Sequence, residues 1–176
     1  MKRSAAIEWL ARMLAIIGGL VLVAITVLTV VSITGRAFVR QGLGPIPGDF
    51  ELVEAMTAFA VFSFLPWCQL RGAHATVDVF TSFFPDRVNR VIDLVSEVLM
   101  SLVITLIAWR LWYGLQDKIR YNETTFILQF PVWWGFAAAM AAALVAVLIS
   151  YYMTFIRIQE VIAGRREFGP AEGGHS

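Results

Sequence analysis

The sequence is poor in the residues that catalysis, metal binding and redox chemistry draw on. Its 176 residues include one cysteine, Cys68, and two histidines, His74 and His175. A lone cysteine closes no intrachain disulfide, and Cys68 stands in an apolar run as a small core residue. A four-helix haem protein needs imidazoles inside its helices, but His74 falls in a linker and His175 in a glycine-rich tail, which excludes that class. There is no G-x-x-x-x-G-K-[ST] phosphate loop, no H-E-x-x-H pair and no G-x-S-x-G elbow. Serines within the apolar segments have no histidine at their depth to activate them. No catalytic, cofactor-binding or metal-ligating residue is therefore assigned, and an enzyme is not expected. Charge is scarce as well, at 15% of residues with a net of +1. Without a clustered cationic excess the chain offers nucleic acid no surface.

What the chain has in quantity is apolar length. Hydrophobic residues make up 59% of it and the mean hydropathy is +0.72, so the solvent it suits is the lipid bilayer. The pattern predicts an all-α membrane protein with four long, tilted transmembrane helices in a single domain over residues 1–164. The spans fall at about 13–34, 50–70, 87–116 and 132–156, and a disordered tail covers 165–176. The first apolar run, Met13 to Thr34, carries no charge. It follows Lys2, Arg3 and Arg12 without an A-x-A-like cleavage site, as expected of a retained anchor rather than a signal peptide.

The segment Gly42-Leu43-Gly44-Pro45-Ile46-Pro47-Gly48 is dense in helix breakers and reads as a short turn, with Asp49 placed to cap the next helix. Glu51 and Glu54 stand in that helix's opening turns, where the positive end of the dipole favours carboxylates. Pro66 should bend its far end. Arg71 and Gly72 close the span, and the linker to Pro85, with His74 and Asp78 among apolar residues, suits a short interfacial helix. In the third helix Asp86, Arg90, Asp93, Glu97 and Ser101 recur at spacings of three and four, a polar stripe climbing into the membrane. Glu97 on that stripe pairs either with another subunit or internally, with Arg90 or another helix. Trp133 and Trp134, and Tyr151 and Tyr152, read as interfacial belts of the fourth span. Gly18, Gly19 and the alanines from Ala137 to Ala146 are small residues that let helices approach closely, within the bundle or against a larger membrane protein.

With four spans both termini share a side. That side carries Lys2, Arg3, Arg12, Arg71, Arg87, Arg90, Arg157, Arg165 and Arg166, against Arg36, Arg40, Arg110, Lys118 and Arg120 on the other. The richer side is expected to be cytoplasmic, which places both the N-terminus and the C-terminus inside.

The order Pro47-Gly48-Asp49-Phe50-Glu51-Leu52-Val53-Glu54, an apolar run to Leu65-Pro66, then Arg71-Gly72-Ala73-His74-Ala75-Thr76-Val77-Asp78 and Pro85 resembles the small-permease pattern of tripartite ATP-independent periplasmic (TRAP) transporters, the DctQ-like family. Ala75 departs from it, standing where the family commonly has a larger aliphatic residue. The resemblance implies a small inner-membrane subunit that braces a large permease subunit (DctM-like). That partner takes up a small organic anion such as a carboxylate, delivered by a periplasmic substrate-binding protein and driven by an ion gradient, sodium by analogy. It also implies that Asp49, Glu51, Glu54, Arg71, Gly72, His74 and Asp78 serve structure and subunit contact rather than catalysis, with Glu97 a further candidate. Two other readings share the architecture. One is a stand-alone homodimeric exporter carrying protons on Glu54 or Glu97, and the other is a tetraspan adaptor or assembly factor.

Overall fold

A computed structural model describes residues 5–71 and 86–163. They form α1 (Ala5–Ala37), a single 3-10 turn (Val39–Gln41), α2 (Asp49–Arg71), α3 (Asp86–Tyr121) and α4 (Trp133–Ala163). All four helices are long and apolar enough to cross a membrane. The expected all-α, four-span architecture is therefore the one observed, and among the described residues the only strand-like feature is an isolated pairing of Thr124 with Pro131. The proposed interfacial helix, with Gly72, His74 and Asp78, and the tail 165–176 lie outside the described residues.

The helices outrun the apolar segments that announce them. α1 begins at Ala5, ahead of the charge-free run from Met13, with Glu8 in its first turn. α3 continues past Gln116 to Tyr121 and holds Lys118 and Arg120 in its last turn, where cations complement the negative end of the helix dipole. At about 1.5 Å per residue its 36 residues reach about 54 Å, far more than the roughly 30 Å hydrocarbon layer. Asn122, at φ +49°, stops α3 in the left-handed region that asparagine tolerates. Before α2, Gly48 sits at φ +74°, and its carbonyl accepts the first helical bond from Leu52 N at 3.2 Å. Only a residue without a Cβ takes that conformation beside the Leu128 side chain, because a Cβ built there lies 2.4 Å from Leu128 Cγ.

In space the order is α1, α2, α4, α3: α2 packs along both α1 and α4, and α4 packs along α3. α1 touches α4 only lightly. Lipid supplies no hydrophobic drive between helices, so association depends on close packing, and small residues mark each contact. Ala11, Gly18 and Ser32, spaced in multiples of seven, are the buried residues of α1. A Cβ built on Gly18 lies 2.7 Å from Ser63 Cβ of α2, while nothing lies within 4 Å of one built on Gly19. Between α2 and α4, Gly135 meets Ala55 in the same way, at 3.1 Å. α4 is the central helix. Its Ala139, Ala142, Ala143 and Ala146 are almost fully buried, and toward its end Ile149, Met153 and Ile156 join Ala11 and Leu70 in one cluster. This alanine face packs inside the bundle. The exposed leucines, valines and isoleucines of α1 and α3 form the surface a bilayer would cover.

Candidate functional site

Polar side chains gather at two levels of the bundle. The first is where α1 ends, α2 begins and the α3–α4 loop folds back. Ser32 Oγ, buried in α1, donates to Asp49 Oδ2 and accepts from Ile46 N at 3.3 Å. Asp49 Oδ1 also accepts from Phe50 N at 2.8 Å. The side chain thus caps the free Phe50 amide as the sequence suggests. The helix itself starts one residue earlier, at Asp49, with Gly48 supplying the opening carbonyl, and the second carboxylate oxygen ties α2 to α1.

Two residues on, Glu51 reaches the far loop. Its Oε1 accepts from Ile127 N at 2.7 Å and its Oε2 from Leu128 N at 3.0 Å. Two successive backbone amides converging on one carboxylate form a charge-assisted clamp, and Leu128 packs against Gly48 beside it. The loop is braced further by Thr125 N to Phe130 O at 2.9 Å, by Val132 N to Glu123 O at 3.0 Å, and by the Lys118–Glu123 ion pair. It leaves Phe126 at its tip 95% exposed. Glu54, one turn beyond Glu51, is exposed.

The second level lies near the opposite end. Gln69 of α2, 1% exposed, donates from Nε2 to Glu97 Oε1 of α3 at 2.6 Å and to Ser150 Oγ of α4 at 3.2 Å. Ser150 Oγ donates to Ser101 Oγ at 2.6 Å, and Ser101 Oγ lies 2.6 Å from Thr154 Oγ1. One turn further along α3, Thr105 Oγ1 donates to Ser101 O at 2.7 Å and stands 3.2 Å from the Tyr151 hydroxyl. This network joins three helices through side chains at a depth where an unmade hydrogen bond is costly. Gln69 Oε1 is buried and accepts no hydrogen bond among the described residues. Arg71 closes α2 with its guanidinium 4.6 Å from the centroid of the Trp67 ring, a cation–π contact on the exposed end of the helix. Open grooves flank the bundle: one of about 390 Å³ between α3 and α4 is floored by Ser101, Thr105 and Tyr151, and one of about 400 Å³ is lined by apolar residues of α1, α2 and α4.

The sequence-expected residues are thus divided. Asp49, Glu51 and Glu54 share the first level and Arg71 and Glu97 the second, while Gly72, His74 and Asp78 lie outside the described residues. Of the partners left open for Glu97, another helix is present, through Gln69, while the Arg90 side chain lies outside what is described. Sequence reasoning did not single out Ser32, Gln69, Ser150 or Thr154. Gln69 had a signal, a primary amide alone in the apolar run Leu65-Pro66-Trp67-Cys68-Gln69-Leu70, whereas serine and threonine are too common in membrane helices to stand out. The Tyr151 hydroxyl accepts from Thr105 Oγ1 while the tyrosine itself stays exposed.

Among the described residues no three histidine, cysteine or acidic side chains gather as a metal site would require. The arrangement fastens helices and one loop. Over residues 25–160 the chain matches the protein family described as "Tripartite ATP-independent periplasmic transporters, DctQ component". No curated protein and no solved structure matches it.

Proposed function

The chain belongs to the DctQ family of tripartite ATP-independent periplasmic transporters, and on that premise we propose that it is the small membrane subunit that braces a large, DctM-like permease subunit. The large subunit takes up a small organic anion such as a carboxylate, handed over by a periplasmic substrate-binding protein and driven by an ion gradient, sodium by analogy. The family match, which spans α2, α3, nearly all of α4 and the last third or so of α1, carries this reading. The side-chain chemistry supports it, because Asp49, Glu51 and Glu97 are engaged in holding helices and a loop together. A bracing subunit requires that and no substrate cage of its own. We assign Asp49, Glu51, Glu54, Arg71 and Glu97 to structure and subunit contact, together with Gly72, His74 and Asp78.

The membrane is the bacterial inner membrane in this reading, with both termini cytoplasmic. The Glu51-clamped loop then faces the periplasm and the Gln69–Glu97 level lies toward the cytoplasm. Reconstitution tests the proposal. Uptake in proteoliposomes should require this chain, the large permease and the binding protein together, and each omission should abolish it. Solute transport by this chain alone would refute the bracing role in favour of a stand-alone exporter.

A further inference from the structure

Arg110 lies on the side of α3 that faces away from the other described helices. Ile104, Ala108 and Leu115 are the buried apolar residues described on this helix, on the same side as the buried Ser101. At 100° per residue Arg110 falls about 140° around the helix from them, beside Leu99, Val103 and Leu106, all of which are exposed. Arg110 is itself exposed, and it makes no hydrogen bond, ion pair or ring contact with any described residue. α3 ends the row of described helices, so no other described helix packs along that face.

Its depth makes this arrangement informative. One turn from Arg110 toward the loop, Gly114 meets the Phe136 ring, and Phe136 is three residues inside the start of α4 at Trp133. Counting back at 1.5 Å per residue places the Arg110 backbone about 10 Å further into the bundle than Trp133. The nearest charges along α3 are Asp117 on one side and Glu97 on the other, about 10 Å and about 20 Å away. The Cα–Cβ bond of a helical residue leans toward the helix N-terminus, which for Arg110 is the deeper direction. Reaching back to the nearer surface therefore runs against the side chain's own lean. A guanidinium held at such depth without an anion is costly, and arginines at that level pair with carboxylates or carbonyls of neighbouring protein. Lipid tails supply neither.

We propose that the outward face of α3 around Arg110 is where the chain meets a transmembrane helix of the large permease subunit, and that a carboxylate on that helix pairs with the Arg110 guanidinium. This rests on the bracing role proposed above and adds which helix does the bracing. The exposed Leu99, Val103 and Leu106 supply the packing around the pair, and the planar guanidinium accepts a carboxylate through two parallel hydrogen bonds.

The test uses the co-expressed pair of membrane subunits, with the affinity tag on the large one. The unaltered chain should co-purify. Arg110→Leu should reduce the amount retained about tenfold and Arg110→Lys by less, because lysine keeps the charge but loses the fork. A photo-crosslinking side chain at Val103 or Leu106, with Arg110 intact, should capture the large subunit, whereas one at Val23 of α1 should not. That arm does not depend on any Arg110 variant folding. Undiminished retention of Arg110→Leu would show that the arginine reaches lipid headgroups, and would overturn the proposal while leaving the bracing role standing. Crosslinking from Val103 and Leu106 only to lipid or to a second copy of this chain would overturn it equally. Failure of the unaltered chain to co-purify would reject the bracing role and this interface with it.

Discussion

Gly18 and Gly19 are adjacent and chemically identical, yet the structure gives them opposite sensitivities. A methyl group added at Gly18 lies 2.7 Å from Ser63 Cβ, where non-bonded carbons settle at about 3.5–4.0 Å. α1 and α2 must therefore part by about 1 Å, or both must shift. Overpacking of this kind typically costs about 1–3 kcal/mol. Replacing a helical glycine with alanine also returns up to about 1 kcal/mol of helix propensity, but the same return applies at Gly19, where nothing lies within 4 Å. Propensity therefore cancels in the comparison. Gly18→Ala should be less stable than Gly19→Ala by about 1–3 kcal/mol, with Gly19→Ala at or above the unaltered chain. The measurement is reversible unfolding of the purified chain in mixed micelles, followed by circular dichroism. Replacing Ser63 with glycine should cost less in the Gly18→Ala background than alone, because the clash is with the Ser63 side chain. Equal stabilities for Gly18→Ala and Gly19→Ala would show that α1 does not approach α2 at Gly18, and the reasoning about this contact would fail.

Two further outcomes follow from the polar levels. Gln69→Leu removes the donor that meets Glu97 and Ser150, so it should destabilise the chain by about 1–3 kcal/mol through the acceptor left behind. The Gln69→Leu/Glu97→Leu pair should be less destabilised than the sum of its singles, and strict additivity in the same unfolding measurement would contradict the contact. Glu51→Ala releases the amides of Ile127 and Leu128. Hydrogen–deuterium exchange should then speed up at those two positions and stay unchanged in α1, and unaltered exchange at both amides would show that the carboxylate does not hold the loop.

How much of this was legible beforehand differs by level of organisation. The four spans were legible, because an uninterrupted apolar run of some twenty residues has few alternatives to a membrane helix. Helix ends were not. Charged residues such as Glu8, Lys118 and Arg120 end an apolar count, yet they are good helix formers and continue α1 and α3. The acidic start of α2 was visible in sequence, but the partners of Asp49 and Glu51 were not, since Ser32 and the amides of Ile127 and Leu128 are brought near by tertiary packing alone. The same holds for Gly18 and Gly19: composition identifies both as candidates for a close approach, and only the rotation of α1 against α2 selects one. Glu97 could be placed on a stripe by periodicity, but its partner Gln69 lies on another helix, beyond the reach of any spacing rule within one helix.

The spatial order α1, α2, α4, α3 constrains how the protein is made. α2 and α3 follow one another from the ribosome, but the helix that lies along both is α4, the last to be synthesised. α1 and α2 can pair with each other as soon as they leave the translocon, with only the α4-facing side of the hairpin, at Leu70 and Gln69, still uncovered. α3 enters the bilayer with Ser101 and Thr105 still lacking Ser150, Thr154 and Tyr151. Nascent chains arrested before residue 133 should therefore leave α3 loosely held and open to quality-control proteases, and the emergence of α4 is the step that inserts a wedge between two waiting halves and completes the fold.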